Sequence, residues 1–271
     1  MKIIITADLH YGVGNNQKIV RNFAKKILRT KADVLLIVGD TFAFKQKFLI
    51  KCLQLFDKFG GDKLFVAGNH DLWTHGANSL ELYEKVLPRI ARQCGFHYLD
   101  QKPFIKGKVG FVGNIGWYDY TFKDKSKPIP PHYYSSKQWP SVVTWNDGLY
   151  VHLGISDSVF TERVNRKLKR HLVQTSKQVS TIICAVHHVP FRQLLRTNHT
   201  SIDKFLTAFS GSAETDKIIR SFPKVKYVFC GHTHQKKKAT INGITAINIG
   251  SDYLRKRFEV LDTFGSAQYQ P

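Results

Sequence analysis

Five short stretches of this chain end in side chains that bind metal ions or move protons: Asp8-Leu9-His10, Gly39-Asp40, Gly68-Asn69-His70-Asp71, His187-His188 and Gly231-His232-Thr233-His234. Asp8, His10, Asp40, Asn69, His187, His232 and His234 supply oxygen and nitrogen donors. Together they exceed what one tetrahedral ion takes, and they suit two ions sharing a carboxylate. Imidazole with carboxylate favours Mn, Fe, Co or Zn, whereas Ca takes oxygen alone. Each motif is weak by itself, because a DxH pair arises by chance and a lone histidine is more often structural. Their weight comes from a shared context: each closes an apolar run.

Those runs imply the elements that position the donors. Lys2 to Ala7 precedes Asp8, Val34 to Val38 precedes Gly39, and Leu64 to Ala67 precedes Gly68. Ile182 to Val186 precedes His187, and Tyr227 to Cys230 precedes Gly231. All five read as buried strands. Alternate side chains of a strand share a face, so Asp8 with His10, and His232 with His234, can reach the same metal region.

Helical periods fall between the strands. Ile19, Val20, Phe23, Ala24, Ile27 and Leu28 mark one face after a cap at Asn15 or Asn16. Phe48, Leu49, Cys52, Leu53 and Phe56 mark a second, ended by Gly60-Gly61. A third stretch runs from about Ser79 to Cys94, and Pro88 should kink or split it. Helices are also expected over Glu162 to Gln174, Ile202 to Phe209 and Thr215 to Ser221, and strands over Ile244 to Ile249 and Phe258 to Leu261. The alternation predicts βαβ units and a largely parallel sheet, with its site at the carboxyl ends of the strands.

The section from Gly107 to about Phe160 breaks the pattern. After a strand-like Lys108 to Gly113 it carries Trp117, Tyr118 and Tyr120, a basic patch at Lys123, Lys125 and Lys127, and Pro128, Pro130 and Pro131. Such density without helical period predicts a long ordered loop or cap, over the substrate or over a sheet edge.

Donors drawn from both ends of 271 residues argue for one domain spanning the chain. Forty-one Lys and Arg against 20 Asp and Glu give a formal charge of +21, which favours anionic partners: a phosphorylated substrate, nucleic acid or an acidic surface. Basic runs at Arg166-Lys167, Lys169-Arg170, Lys236 to Lys238 and Arg255 to Arg257 read as a binding surface or as solvated faces. Cys52, Cys94, Cys184 and Cys230 form no CxxC pair and sit in apolar contexts, which suits reduced, buried residues in a cytoplasmic protein. No signal peptide and no membrane span is expected.

Asp8-x-His10, Gly39-Asp40, Gly68-Asn69-His70-Asp71, His187 and Gly231-His232-x-His234 together resemble the signature of the calcineurin-like metallophosphoesterase superfamily. The resemblance implies an α/β fold, a four-layer αββα sandwich with two mixed β-sheets. It implies that Asp8, His10 and His234 hold one ion, that Asn69, His187 and His232 hold the other, and that Asp40 bridges. His188 rivals His187, and the family pattern favours the first histidine of such a pair. Many members carry a carboxylate three residues after the bridging aspartate, where it orients the catalytic histidine. Here that position is Ala43, with Asp71 the candidate substitute.

A phosphomonoesterase or phosphodiesterase is therefore expected. Two ions about 3.5–4 Å apart would turn a shared water into hydroxide that attacks phosphorus in line. Asn69 would also contact the phosphoryl oxygens, and His70 would protonate the leaving oxygen. A nuclease is the alternative, its aromatics stacking on bases. A non-catalytic scaffold would have lost ligands, and none of these is missing. His75, His97, His132, His152, His171 and His199 read as surface or core residues, His75 being the strongest exception because it closely follows Gly68.

Overall fold

The computed structural model describes residues 1–126, 128–195 and 200–263. Lys127 of the basic patch, and His199, lie outside the described residues. Among the described residues thirteen strands follow in chain order: β1 (Lys2–Thr6), β2 (Val34–Val38), β3 (Asp62–Val66), β4 (His97–Tyr98), β5 (Phe104–Lys106), β6 (Val109–Asn114), β7 (Gln138–Trp139), β8 (Val143–Thr144), β9 (Thr181–Val186), β10 (Val225–Cys230), β11 (Lys237–Ile241), β12 (Ile244–Asn248) and β13 (Phe258–Asp262). One sheet has the order β13-β1-β2-β3-β4 and the other β11-β12-β10-β9-β6-β5. Both are mixed: parallel within, with antiparallel partners at β13, β11 and β5. β7 and β8 form a separate hairpin.

Continuous apolar strands follow from burial on both faces. Ile3, Ile5, Leu36, Leu64 and Val66 of the first sheet share a core with Phe111, Ile183, Ala185, Phe229 and Ile247 of the second. Ile4, Leu35, Ile37 and Phe65 point the other way, onto helices Gln17–Arg29 and Gln46–Gln54 through Val20, Phe23, Ile27, Leu49 and Leu53. On the far side of the second sheet, Ile182, Cys184, Val228 and Ala246 meet helices Asp157–Ser176 and Ala213–Arg220. Helix, sheet, sheet, helix: the fold is a four-layer αββα sandwich.

Several local expectations change. Asn16 precedes the first helix but does not cap it. Its side chain accepts from the Gly12 amide at 3.0 Å and donates to the Leu9 carbonyl at 3.2 Å, bracing the loop after β1. The second helix stops at Gln54, before Gly60. Pro88 acts as expected: a π-helical turn over Leu82–Val86 joins Ser79–Glu81 to Leu87–Gln93. The section after Gly107 opens on a strand, as expected: β6 runs parallel to β9 and lies between it and β5. Beyond β6, Trp117 and Tyr118 are wholly buried, so they pack a core and present no face to a base.

Candidate metal centre

The donors gather where strands end, but not through strand alternation. β1 stops at Thr6 and β10 at Cys230, so Asp8, His10, His232 and His234 occupy the following loops. Asp8, His10, Asp40, His232 and His234 all have positive φ, between 46° and 73°. This conformation costs a non-glycine residue about 1–3 kcal/mol and clusters at functional sites. The left-handed backbone turns each side chain inward.

Neighbouring loops hold it there. Asp8 N–H donates to Gly39 O (3.0 Å), His10 N–H to Asp40 O (2.8 Å), and Gly231 N–H to His187 O (3.1 Å). The His70 amide donates to Asp40 Oδ1 at 2.9 Å, and that of His232 to Asp8 Oδ1, also at 2.9 Å. Three motif glycines leave room for donors. A Cβ would stand 2.3 Å from His187 Nδ1 at Gly39, 2.2 Å from Asp40 Oδ1 at Gly68, and 2.5 Å from Asp8 Oδ2 at Gly231.

Two groups result: Asp8, His10, Asp40 and His234, and Asp40, His187 and His232, with donor atoms within 4.8 Å in each. In the first, His10 Nε2 lies 2.9 Å from His234 Nε2 and 3.7 Å from Asp40 Oδ2, and His234 Nε2 lies 3.8 Å from Asp8 Oδ1. In the second, His187 Nε2 lies 3.2 Å from Asp40 Oδ1. Asn69 Oδ1 joins it, 3.0 Å from His232 Nδ1 and 3.3 Å from His187 Nε2. Donors about 2.1 Å from one ion stand roughly 3–4 Å apart, so these sets fit metal ions. Asp8 Oδ2 is buried without a partner, an acceptor that a cation would satisfy.

Outer bonds fix the tautomers. A carbonyl only accepts, so His187 Nδ1–H donates to Val38 O (3.0 Å) and turns Nε2 to the centre. His232 Nε2–H donates to Phe209 O (3.1 Å) and leaves Nδ1 inward. His188 instead spends Nδ1 on Ile115 O and joins neither group.

In the metal-free chain, burial pushes the Asp40 carboxyl up, yet His187, His70 and His10 prevail and hold it well below the usual range. Burial also opposes charge on His187, but Asp40 and Asp8 raise it to about 9. Burial holds His10 and His232 well below the ordinary imidazole value. Burial lowers His70 to about 4, against the pull of Asp40.

Asp71 does not take the place of a carboxylate at Ala43. Its Oδ1 accepts from the Thr41 and Phe42 amides (2.8 and 3.1 Å) and its Oδ2 from the Gly68 amide (2.8 Å), which ties two ligand loops together. His70 Nδ1 is buried without a partner, and the ring stacks on Trp73 at 3.6 Å. His75 lies parallel on Phe44 at 4.5 Å, outside both donor groups.

Asp40, Asn69, His70, His232 and His234 floor a cavity of about 240 Å³ whose walls include Trp73, Trp145, Asn146 and Tyr253. Sequence reasoning missed three of its supports. Asp147 accepts four hydrogen bonds beside it, Tyr253 packs 4.6 Å from His10, and Lys256 Nζ donates to Asp8 O at 2.8 Å. Lys256 and Arg257 thus serve backbone carbonyls, at Asp8 and Gly250, rather than a wholly solvated face.

A profile of the calcineurin-like phosphoesterases matches residues 1–236, and the chain belongs to that family. It is accordingly a member of a dimetal-dependent hydrolase family with an Asp/His cluster suited to metals. Phosphopantetheinyl hydrolase from Mycobacterium tuberculosis superposes with a TM-score of 0.76 at 17% identity, over 100% of this chain and 98% of that one. A dimetal phosphatase from Danio rerio gives 0.62 at 13% identity, over 96% and 91%. A Thermus thermophilus protein gives 0.60 at 14%, over 96% and 93%. These likenesses establish a shared fold. No curated protein matches by sequence.

Proposed function

We propose that the chain hydrolyses a phosphomonoester or phosphodiester using two divalent ions, Mn, Fe, Co or Zn. Asp8, His10, Asp40 and His234 would hold one, and Asp40, Asn69, His187 and His232 the other. The observation that carries this reading is Asp40, whose Oδ2 lies 3.7 Å from His10 Nε2 and whose Oδ1 lies 3.2 Å from His187 Nε2. One buried carboxylate faces both groups.

Such ions, when bound, acidify water and offset phosphoryl charge. The chain supplies orientation and a proton. Asn69 turns its amide oxygen inward, and His187 and His232 present nitrogens whose far sides are pinned to carbonyls. His70, whose Nε2 lies 3.9 Å from Asp40 Oδ2, would protonate the leaving oxygen. Its low pKa keeps it neutral in the free chain, and an arriving phosphoryl anion is the charge that favours its acid form. Trp73, Trp145 and Tyr253 narrow the cavity against bulk water.

The nuclease reading retains the charge of +21 but loses Trp117 and Tyr118 to the core, leaving only Tyr120 half-buried. Hydrolysis of p-nitrophenyl phosphate, bis-p-nitrophenyl phosphate and single-stranded DNA with added Mn separates the cases. Turnover of a small ester supports the proposal and assigns monoester or diester. Turnover of DNA alone favours the nuclease, and none at all, with metal bound, overturns the catalytic reading.

A further inference from the structure

We propose that Asp147 is a positioning residue that sets which end of the Asn69 amide faces the second ion. The inference rests on the two-ion reading above and assigns a task to the aromatic segment after β6.

Asp147 is wholly buried at the start of helix Asp147–Tyr150. Its Oδ1 accepts from Asn69 Nδ2 (2.9 Å) and Trp73 Nε1 (2.7 Å). Its Oδ2 accepts from Trp145 Nε1 (2.8 Å) and Tyr118 OH (3.0 Å). The segment is anchored around it: Thr74 N–H donates to Tyr150 O (2.8 Å), Ser79 N–H to His152 O (3.0 Å), and His152 N–H to Ser79 Oγ (2.8 Å).

The two ends of a carboxamide are nearly equal in size, so shape alone does not choose between them. A carboxyl whose two oxygens both accept does, because it takes only a donor. Asp147 therefore draws the NH2 of Asn69 and leaves Oδ1 to His232 Nδ1 and His187 Nε2, at 3.0 and 3.3 Å. It also holds both tryptophans of the cavity wall, and Trp73 carries the His70 ring. One carboxylate thus aligns an ion donor, the stacking base of the proposed acid and a wall of the substrate cavity.

The test is calorimetric titration of metal-free protein with Mn. The wild type is expected to take two ions. Asp147→Asn puts an amide NH2 against one pair of donors, and should weaken the second ion about 10–100-fold while sparing the first. Equal affinity for both ions in variant and wild type overturns the proposal. Asn69→Asp gives a second reading should Asp147→Asn fail to fold. It keeps the inward oxygen but sets a second buried carboxyl against Asp147, where the pair must either share a proton or repel, so the added charge is not free to serve the ion. The second ion should bind at least about tenfold more weakly. Tighter binding there, as expected of a stronger ligand acting alone, overturns the proposal. A wild type that takes only one ion instead overturns the two-ion reading, and this inference with it.

Discussion

The imidazole of His70 lies flat on the indole of Trp73, ring centroids 3.6 Å apart and planes 24° from parallel. Ala43 offers no carboxylate to orient this histidine, and Asp71 spends both oxygens on backbone amides. Stacking on Trp73, with an edge contact to His10 at 4.6 Å, holds the ring. If His70 supplies the leaving-group proton, His70→Ala should keep both ions yet lose about 10²–10⁴-fold in turnover on alkyl phosphate esters. p-Nitrophenyl esters, whose leaving group needs little protonation, should lose far less. Equal losses on the two would remove the general-acid role.

At Gly231 a Cβ would stand 2.5 Å from Asp8 Oδ2 and 2.9 Å from the Ala7 Cβ. Gly231→Ala must therefore displace Asp8, a donor of the first group. Metal analysis should find the ion of that group depleted and the Asp40, His187, His232 group still loaded. Full occupancy of both would mean that the loop yields at no cost to the carboxylate.

His187 is raised to about 9, and both of its nitrogens face acceptors, Val38 O and Asp40 Oδ1. At pH 7 the metal-free ring is charged. Holding a metal requires the neutral ring, so loading should release about one proton from this residue. Calorimetry in buffers of differing ionisation enthalpy would count it, and His187→Asn should abolish that release. Identical proton counts for variant and wild type would show the ring to be neutral beforehand.

Away from the site, burial, with Arg170 and Lys167, lowers His171 to about 4 from its ordinary 6.5. The folded state prefers the neutral ring, so this contribution is present above pH 6.5 and fades as pH falls toward 4. The melting temperature of the wild type should drop across that window more than that of His171→Gln. Parallel curves would contradict the assignment.

The five strand ends were visible in sequence because each pairs an apolar run with polar donors, whereas the space that Gly39, Gly68 and Gly231 leave for those donors was not. The way the donors are aimed was not visible. Asp8 and His10 were expected to share a strand face, whereas both are loop residues with φ of 55° and 46°. Apolar period carries no signal for such turns. The short strands β4 and β5 span only two and three residues, too few for a period to register. Asp147 escaped for another reason: Asn69 is 78 positions away and Trp73 is 74, so only tertiary folding creates that contact. Trp117 and Tyr118 looked equally suited to a surface or a core, and burial decided for the core.

The central claim is that two ions, joined through Asp40, act together. The direct test adds Mn stepwise to metal-free protein and follows hydrolysis of bis-p-nitrophenyl phosphate and p-nitrophenyl phosphate, with Asp40→Ala alongside. Turnover should appear with the second equivalent in the wild type and at no loading in the variant. Full turnover at one equivalent, or undiminished turnover in Asp40→Ala, would contradict it.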